Sequence, residues 1–114
     1  VALKNTVIPA LDKNGKIDYE KKSKESLPLL KDTYPLSFTF YKLGKALLLD
    51  PTREESEASD VRVTWSVSRW EKQYMINSCQ KSGRTTFTQE EIEAMMKILP
   101  KKFDEINEKL KKFL

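Results

Sequence analysis

The chain has 114 residues, no histidine, a single cysteine and a formal net charge of +4 at pH 7. The length is that of one domain, and the missing histidine excludes Ser-His and Cys-His nucleophile pairs and zinc-histidine sites. One cysteine excludes an internal disulfide, and the three separated glycines exclude glycine-rich nucleotide-binding motifs. Hydrophobic residues make up only 39% of the chain, which predicts that it buries surface against partner subunits or more of the same domain.

The first 33 residues carry little hydrophobic patterning. Residues 1–9 predict the end of a helix that stops at Pro9, because proline cannot continue a helix. Residues 10–33 are polar and rich in lysine, and they predict a variable loop with one short strand at Ile17–Tyr19.

One segment of that loop, Asp12–Asp18, is similar in part to a calcium-binding loop. Aligning Gly15 with the invariant glycine of such loops puts Ala10 and Lys21 at the positions that need carboxylates. An Asn-Gly turn explains the segment better, so no metal site is predicted there.

Residues 34–87 predict a sheet of four strands. Alternation of apolar and polar residues marks the first and third strands, and a short continuous apolar run marks the second as covered on both faces. That run is also the longest in the chain, far too short to span a membrane. The four predicted strands are Leu36–Tyr41, Ala46–Leu49, Val61–Val67 and Tyr74–Cys79, with a hairpin connection at Arg69–Lys72.

Residues 88–114 predict a C-terminal helix, which makes the class α+β. Thr88 and Glu91 have the spacing of a capping box at its start. One apolar stripe follows, but Pro100 lies inside it and predicts a kink or break near Leu99–Lys101. The stripe consists of Ile92, Met95, Met96, Leu99, Phe103, Ile106 and Leu110.

The charge is unevenly distributed along the sheet region. Asp50–Asp60 carries a net charge of −4, and Val61–Phe87 carries +4. A basic stretch is compatible with RNA or DNA, because phosphate contacts dominate affinity for nucleic acids, although a solvated surface has the same composition. The acidic stretch has the carboxylates for a metal or for acid-base work, but a solvated loop is the simpler explanation of Asp50, Glu54, Glu55, Glu57 and Asp60.

Three side chains of the sheet region invite a functional interpretation. Trp65 lies on the strict apolar alternation and is expected in the core, whereas Trp70 lies at the hairpin and is the better candidate for a partner contact. Cys79 is expected to be a core or half-buried strand residue.

The stretch from Tyr34 to Glu55 (YPLSFTFYKLGKALLLDPTREE) resembles the C-terminal part of RNase PH-like subunits of the RNA exosome. The resemblance continues through a strand, a hairpin, the Gln80–Gly83 segment (QKSG) and a capped helix, and the start (ALKN, then Pro9) is similar as well. It implies an RNase PH-like (ribosomal protein S5 domain 2-like) partial domain over residues 1–114, as the latter part of a longer RNase PH-like chain.

Active members of that family use phosphate to shorten RNA from its 3′ end, with carboxylates at positions that the resemblance locates in this chain. Asp50 matches the first of them, but Ser56 and Arg62 stand where the active pattern has aspartates. Neither serine nor arginine holds a divalent metal or gives up a proton as a carboxylic acid does. The resemblance therefore implies a non-catalytic subunit with no catalytic residues, no cofactor and no metal.

The expected role is structural: a subunit that completes the hexameric ring of RNase PH-like subunits in a eukaryotic exosome and lines the path of RNA. Arg62, Lys81 and Arg84 are the candidate phosphate contacts. The resemblance implies a location in the nucleus, including the nucleolus, and in the cytoplasm, with roles in RNA and rRNA processing and degradation.

Two alternatives remain open at this point. One is an active phosphorolytic 3′-5′ exoribonuclease subunit, for which Ser56 and Arg62 are the discriminating positions. The other is a small module for single-stranded nucleic acid, a four-stranded sheet with a helix, in which Trp70 and Tyr74 stack on bases.

Overall fold

The computed structural model describes residues 2–29 and 33–113. The chain divides into two compact units, one formed by residues 1–31 with 112–114 and the other by residues 32–111. No helix in the described part of the chain is long and apolar enough to cross a lipid bilayer.

The first unit contains a β-hairpin rather than the predicted helix end and loop. A single 3-10 turn, Leu3–Asn5, precedes strands β1 (Val7–Leu11) and β2 (Ile17–Ser26), which pair antiparallel. The predicted helix end over residues 1–9 is therefore wrong beyond that turn, because Val7 and Ile8 are β-branched and favour extended backbone. The short strand predicted at Ile17–Tyr19 is confirmed as the start of β2. The predicted loop over residues 10–33 is wrong for the end of β1 and for the rest of β2, which is mostly exposed and polar and lacks the apolar alternation that marks a strand. Residues 30–32 of that loop lie outside the described part.

The turn between β1 and β2 confirms the Asn-Gly interpretation. The Asp12 side chain accepts hydrogen bonds from the backbone N–H groups of Asn14 and Lys16, at 2.8 Å and 2.9 Å. Gly15 follows at φ +77°, a backbone conformation that glycine adopts without steric cost.

The second unit is an antiparallel four-stranded sheet with one long helix on it. The strands are β3 (Leu36–Leu43), β4 (Ala46–Leu49), β5 (Val61–Trp70) and β6 (Gln73–Gly83), in the spatial order β4-β3-β5-β6. Each predicted strand is present, and three of them are longer than predicted. The expectation that β4 is covered on both faces is wrong, because β4 is an edge strand whose leucines are only half-buried.

The core lies between one face of this sheet and the helix α2 (Gln89–Leu110). Met95, Leu99 and Phe103 are spaced four residues apart and lie on one face of α2, so all three side chains are buried. The sheet contributes the alternate residues Phe38, Phe40, Val63 and Val67.

The sequence predicts a kink or a break near Leu99–Lys101. The helix runs through Pro100 without interruption, so it does not break there, and the kink stays a prediction. Proline removes one backbone hydrogen bond and crowds the preceding turn. The buried neighbours Leu99 and Phe103 hold both halves of α2 against the sheet, and this packing offsets the local cost.

Lys42, near the end of β3, fixes the first turn of α2 to the sheet. Thr88 and Glu91 form the predicted capping box, and the Lys42 ammonium lies 2.7 Å from the Glu91 carboxylate. The hydrogen bond from Lys42, followed by that from the Thr88 backbone, lowers the pKa of Glu91. Both side chains are largely shielded from water, and Lys42 also lies over the ring of Phe87.

Candidate functional site

An open cleft of about 200 Å³ lies on the sheet unit, where β3, β5 and β6 meet the segment before β5. The register of the sheet places Tyr41, Arg62 and Ser82 in one row across these three strands. Paired residues of an antiparallel sheet point to the same face, so this row lies on the face opposite α2. Ser56, Ser59 and Asp60 complete the polar lining.

The acidic segment before β5 folds into a short helix, α1 (Arg53–Ala58), rather than a solvated loop. Thr52 and Glu55 form a second capping box: the Thr52 hydroxyl accepts from the Glu55 backbone, and the Glu55 carboxylate accepts from the Thr52 backbone at 2.8 Å. Ser56 follows within α1 and is half-buried beside the cleft. The structure thus brings Ser56 and Arg62 to one place.

Gly83 is required by close packing of backbone beside the cleft. A Cβ atom at this position would lie 2.5 Å from the Asp60 carbonyl oxygen and 2.7 Å from the Val61 Cα. Its φ of +106° is also a conformation that L side chains rarely adopt. The next residue, Arg84, donates its backbone N–H to the same Asp60 oxygen at 3.1 Å, which closes the end of the β5–β6 ribbon.

The polar groups of the cleft suit an anion better than a cation. The exposed Arg62 side chain donates from Nε to Ser82 Oγ at 2.9 Å, so its remaining N–H groups face solvent or a ligand. The three serine hydroxyls of the lining and this guanidinium are phosphate-binding groups, whereas Asp60 is the one carboxylate in the lining.

The acidic residues do not gather into a metal site. The carboxylate of Glu55 caps α1, and that of Glu57 pairs with Arg53 at 2.8 Å. Asp50 is exposed at φ +61° and does not line the cleft. No group of three or more histidine, cysteine, aspartate or glutamate side chains within residues 2–29 and 33–113 is arranged to hold a metal.

The three candidate phosphate contacts do not lie on one surface. Lys81 pairs with Val63 in the register, so it lies on the face that carries α2, opposite to Arg62. Its ammonium donates to the Gly83 carbonyl at 3.2 Å. Arg84 follows the end of β6, exposed and one residue beyond the cleft.

Of the three aromatic side chains that the sequence analysis considers for stacking, one is exposed and two are packed within the sheet unit. Trp70 is 55% exposed at the hairpin, as expected for a contact residue, and Trp65 packs against the core. Tyr74 contacts the Phe103 ring edge-on and donates to Asp104 at 2.5 Å. That hydrogen bond is the main cause of a raised Tyr74 pKa. The small-module alternative therefore lacks a free Tyr74 for stacking.

The expectation of a core or half-buried cysteine is wrong, because Cys79 is exposed on the edge strand β6.

Sequence reasoning also missed α1. The spacing of Thr52 and Glu55 repeats that of Thr88 and Glu91, and it was the available signal for that helix. Nothing local to Gly83 in the sequence reveals the approach of a strand from about twenty residues away.

Comparison with known proteins agrees with the resemblance. Residues 33–98 match the model of the "3′ exoribonuclease family, domain 2". The chain is similar to the exosome complex component Rrp42 of Pyrobaculum aerophilum, with 35% identity over 99% of this chain and 40% of that protein. The same component of Thermococcus kodakarensis is 29% identical over 97% of this chain and 40% of that protein. That of Pyrococcus furiosus is 32% identical over 92% and 37%.

The chain spans about two fifths of the length of these relatives. The family match confirms the RNase PH-like, α+β interpretation of the sequence, as the C-terminal part of such a chain. The family model covers β3 to β6 and much of α2, which are the elements that build the cleft and its supporting core. The chain therefore belongs to the 3′ exoribonuclease family, of which it carries the second domain.

Proposed function

We propose that the chain is a catalytically silent, RNA-path-lining part of an exosome subunit that assembles with other RNase PH-like subunits into a hexameric ring. The names of its relatives support an exosome subunit. The cleft, with its serine hydroxyls and guanidinium, supports contact with RNA phosphates rather than chemistry on them.

The observation that carries this proposal is the meeting of Ser56 and Arg62 in one cleft. The RNase PH-like resemblance puts the catalytic aspartates of active members at these positions. A serine hydroxyl is not an acid near neutral pH, and a guanidinium stays protonated and repels a divalent cation. Asp60 alone does not supply the several oxygen ligands that a divalent cation needs.

Incubation of the purified protein with a single-stranded RNA and inorganic phosphate tests the silence. We expect no phosphate-dependent shortening of the RNA by this protein alone. We expect none either when it is assembled with ring subunits that themselves lack catalytic carboxylates. Phosphate-dependent release of nucleoside diphosphates that disappears in Asp60→Asn would show that the cleft is an active phosphorolytic site.

RNA binding at the cleft is tested by the dependence of affinity on salt. Arg62→Ala and Arg84→Ala are each expected to reduce the slope of log K against log salt by about 0.7, the value for one phosphate contact on a single strand. Lys45→Ala removes an exposed charge from the β3–β4 turn and serves as the control. Equal slopes for Arg62→Ala and the control would remove Arg62 from the RNA path.

Asp50 is proposed to have a conformational role next to β4. Its φ of +61° is tolerated by aspartate and glycine but disfavoured for alanine. Asp50→Ala is expected to weaken folding or ring assembly, and Asp50→Gly is expected to restore both. Native mass spectrometry of the assembly distinguishes the two variants, and an equal loss in both would assign the role to the carboxylate instead. We also propose that the protein is located in the nucleus, including the nucleolus, and in the cytoplasm, as the RNase PH-like resemblance implies.

A further inference from the structure

We propose that the β1–β2 hairpin is a second contact for single-stranded nucleic acid, in which Tyr19 stacks on a base and Lys21 and Lys22 contact phosphates. This surface belongs to the first unit of the chain and uses none of the residues of the cleft. The inference goes beyond the proposed function and does not depend on the cleft.

An irregularity in the hairpin produces this surface. Pro9 of β1 pairs with Lys22 of β2, but the next residue, Ala10, pairs with Asp18. Three residues of β2, from Tyr19 to Lys21, therefore lie between two consecutive positions of β1 and leave the regular ladder. Pro9 has no N–H to donate, which suits it to the point where the ladder is interrupted.

The bulge places an aromatic ring in solvent. Tyr19 is 91% exposed, so its ring makes almost no contact within the described part of the chain. A single exposed aromatic residue is ordinary by itself. Tyr19 also lies beside a groove lined by lysines, and exposed aromatic rings next to basic residues are the usual binding surface for single-stranded nucleic acids.

The groove has about 380 Å³, which is within the range of sites that hold molecules of nucleotide size. Val7 and Pro9 provide an apolar wall, and Asn5 and Thr6 add polar groups at one end. Asp18, Tyr19, Lys21 and Lys22 form the lining contributed by β2.

The hairpin, residues 7–26, carries five lysines and four carboxylates, so its net charge is only +1, and two of the carboxylates, Glu20 and Glu25, are exposed. The groove itself is lined by Lys21 and Lys22 against the single carboxylate of Asp18, and this local excess of positive charge favours a polyanion. Asp12 is occupied by two backbone N–H groups of the turn, and Asp18 accepts from the Glu20 backbone and lies 3.7 Å from Lys21. Lys22 and Lys24 are exposed with no ion pair to any residue within 2–29 and 33–113 that the structure shows. An acidic polypeptide would pair with these lysines but would present no flat base to Tyr19, so the ring favours nucleic acid.

Binding of a fluorescently labelled 12-nucleotide oligouridine to the full chain, followed by anisotropy, tests the proposal. Tyr19→Ala is expected to weaken binding about 5- to 100-fold, the range for loss of one stacked base, and Tyr19→Phe is expected to retain the affinity. The double variant Lys21→Ala/Lys22→Ala is expected to reduce the slope of log K against log salt by about 1.4. Because all three side chains are exposed, the variants should keep the far-ultraviolet circular dichroism of the parent.

The matched control is Lys97→Ala/Lys101→Ala, which removes the same charge from exposed positions of α2. An equal reduction of slope by the control would show that net charge alone drives binding. Unchanged affinity of Tyr19→Ala, or equal losses in Tyr19→Ala and Tyr19→Phe, would overturn stacking. Displacement of the oligonucleotide by polyglutamate at equal charge concentration would point to an acidic protein partner instead.

The result also separates the hairpin from the cleft. Loss of affinity in Tyr19→Ala with no change in Arg62→Ala would support the hairpin and remove the proposed contact at the cleft. The opposite pattern would overturn the hairpin proposal and leave the cleft in place.

Discussion

Replacement of Gly83 by alanine tests how closely the start of β5 and the end of β6 pack. The added Cβ would lie 2.5 Å and 2.7 Å from two backbone atoms, which cannot rotate away as a flexible side chain can. An L residue with positive φ costs about 1–2 kcal/mol, and relief of such an overlap costs about 1–3 kcal/mol more. We therefore expect Gly83→Ala to lower the free energy of unfolding by about 2–5 kcal/mol, a large part of the 5–15 kcal/mol typical of a domain.

Gly44→Ala is the matched control, because Gly44 also has a positive φ, +58°, but nothing lies within 4 Å of its added Cβ. Its expected cost is about 1–2 kcal/mol, from the backbone term alone. Urea unfolding followed by tryptophan fluorescence gives both values. For a slope of about 2 kcal/mol/M, the midpoint of the Gly83 variant should fall by roughly 1–2.5 M. Equal losses in the two variants would refute the close approach of the strands.

Three further substitutions test the attachment of α2 to the sheet. Lys42 is the main cause of the lowered pKa of Glu91, so the ionised Glu91 carboxylate stabilises the fold above the ordinary glutamate pKa of 4.5. This stabilisation is lost as the pH falls through the lowered pKa of Glu91. Lys42→Met should therefore make the free energy of unfolding less dependent on pH in this acidic range. Pro100→Ala should raise the free energy of unfolding by about 1–3 kcal/mol, since the helix already continues through this position and would gain a hydrogen bond. Tyr74→Phe should lower the free energy of unfolding by about 1 kcal/mol below pH 10, measured by urea unfolding, because it removes the hydrogen bond to Asp104. The difference from the parent should vanish as the pH rises through the raised pKa of Tyr74, because the ionised phenol no longer donates that bond.

Each of these has an outcome that contradicts it. Arg53→Met removes an exposed ion pair, so acid titration of Arg53→Met should match the parent; a change equal to that of Lys42→Met would assign the effect to net charge. A loss of stability in Pro100→Ala would mean that the packing of the proline ring contributes more than its strain in the helix costs. A Tyr74→Phe difference that persists at alkaline pH would exclude the hydrogen bond as its source.

Most of the second unit could be predicted because its apolar residues are regularly spaced. The strict alternation from Val61 to Val67 and the capping box at Thr88 both have local causes, so the sequence alone locates them. Only the start of β2, Ile17–Tyr19, could be predicted in this way, because the rest of this strand is polar and buries no side chain. The continuity of α2 at Pro100 depends on packing against the sheet, which a local rule about proline does not include.

The site was predictable only in part for a related reason. The resemblance identified Ser56 and Arg62 one by one, but their meeting depends on α1 and on the register of β5 against β6. The same register separates Lys81 from Arg62, since neighbouring strands fix which side chains share a face. The spacing of residues along the sequence does not show which side chains of β5 and β6 share a face, because these residues are about twenty positions apart.

The double use of the Glu91 carboxylate has a consequence for cooperativity. One oxygen pair closes the cap of its own helix and also holds Lys42 of the neighbouring strand. Initiation of the helix and its docking on the sheet therefore depend on the same group, and neither is complete without the other. The first turn of α2, which in most helices frays independently, is expected to open only together with the end of β3, so the amide hydrogens of both should exchange as a single unit.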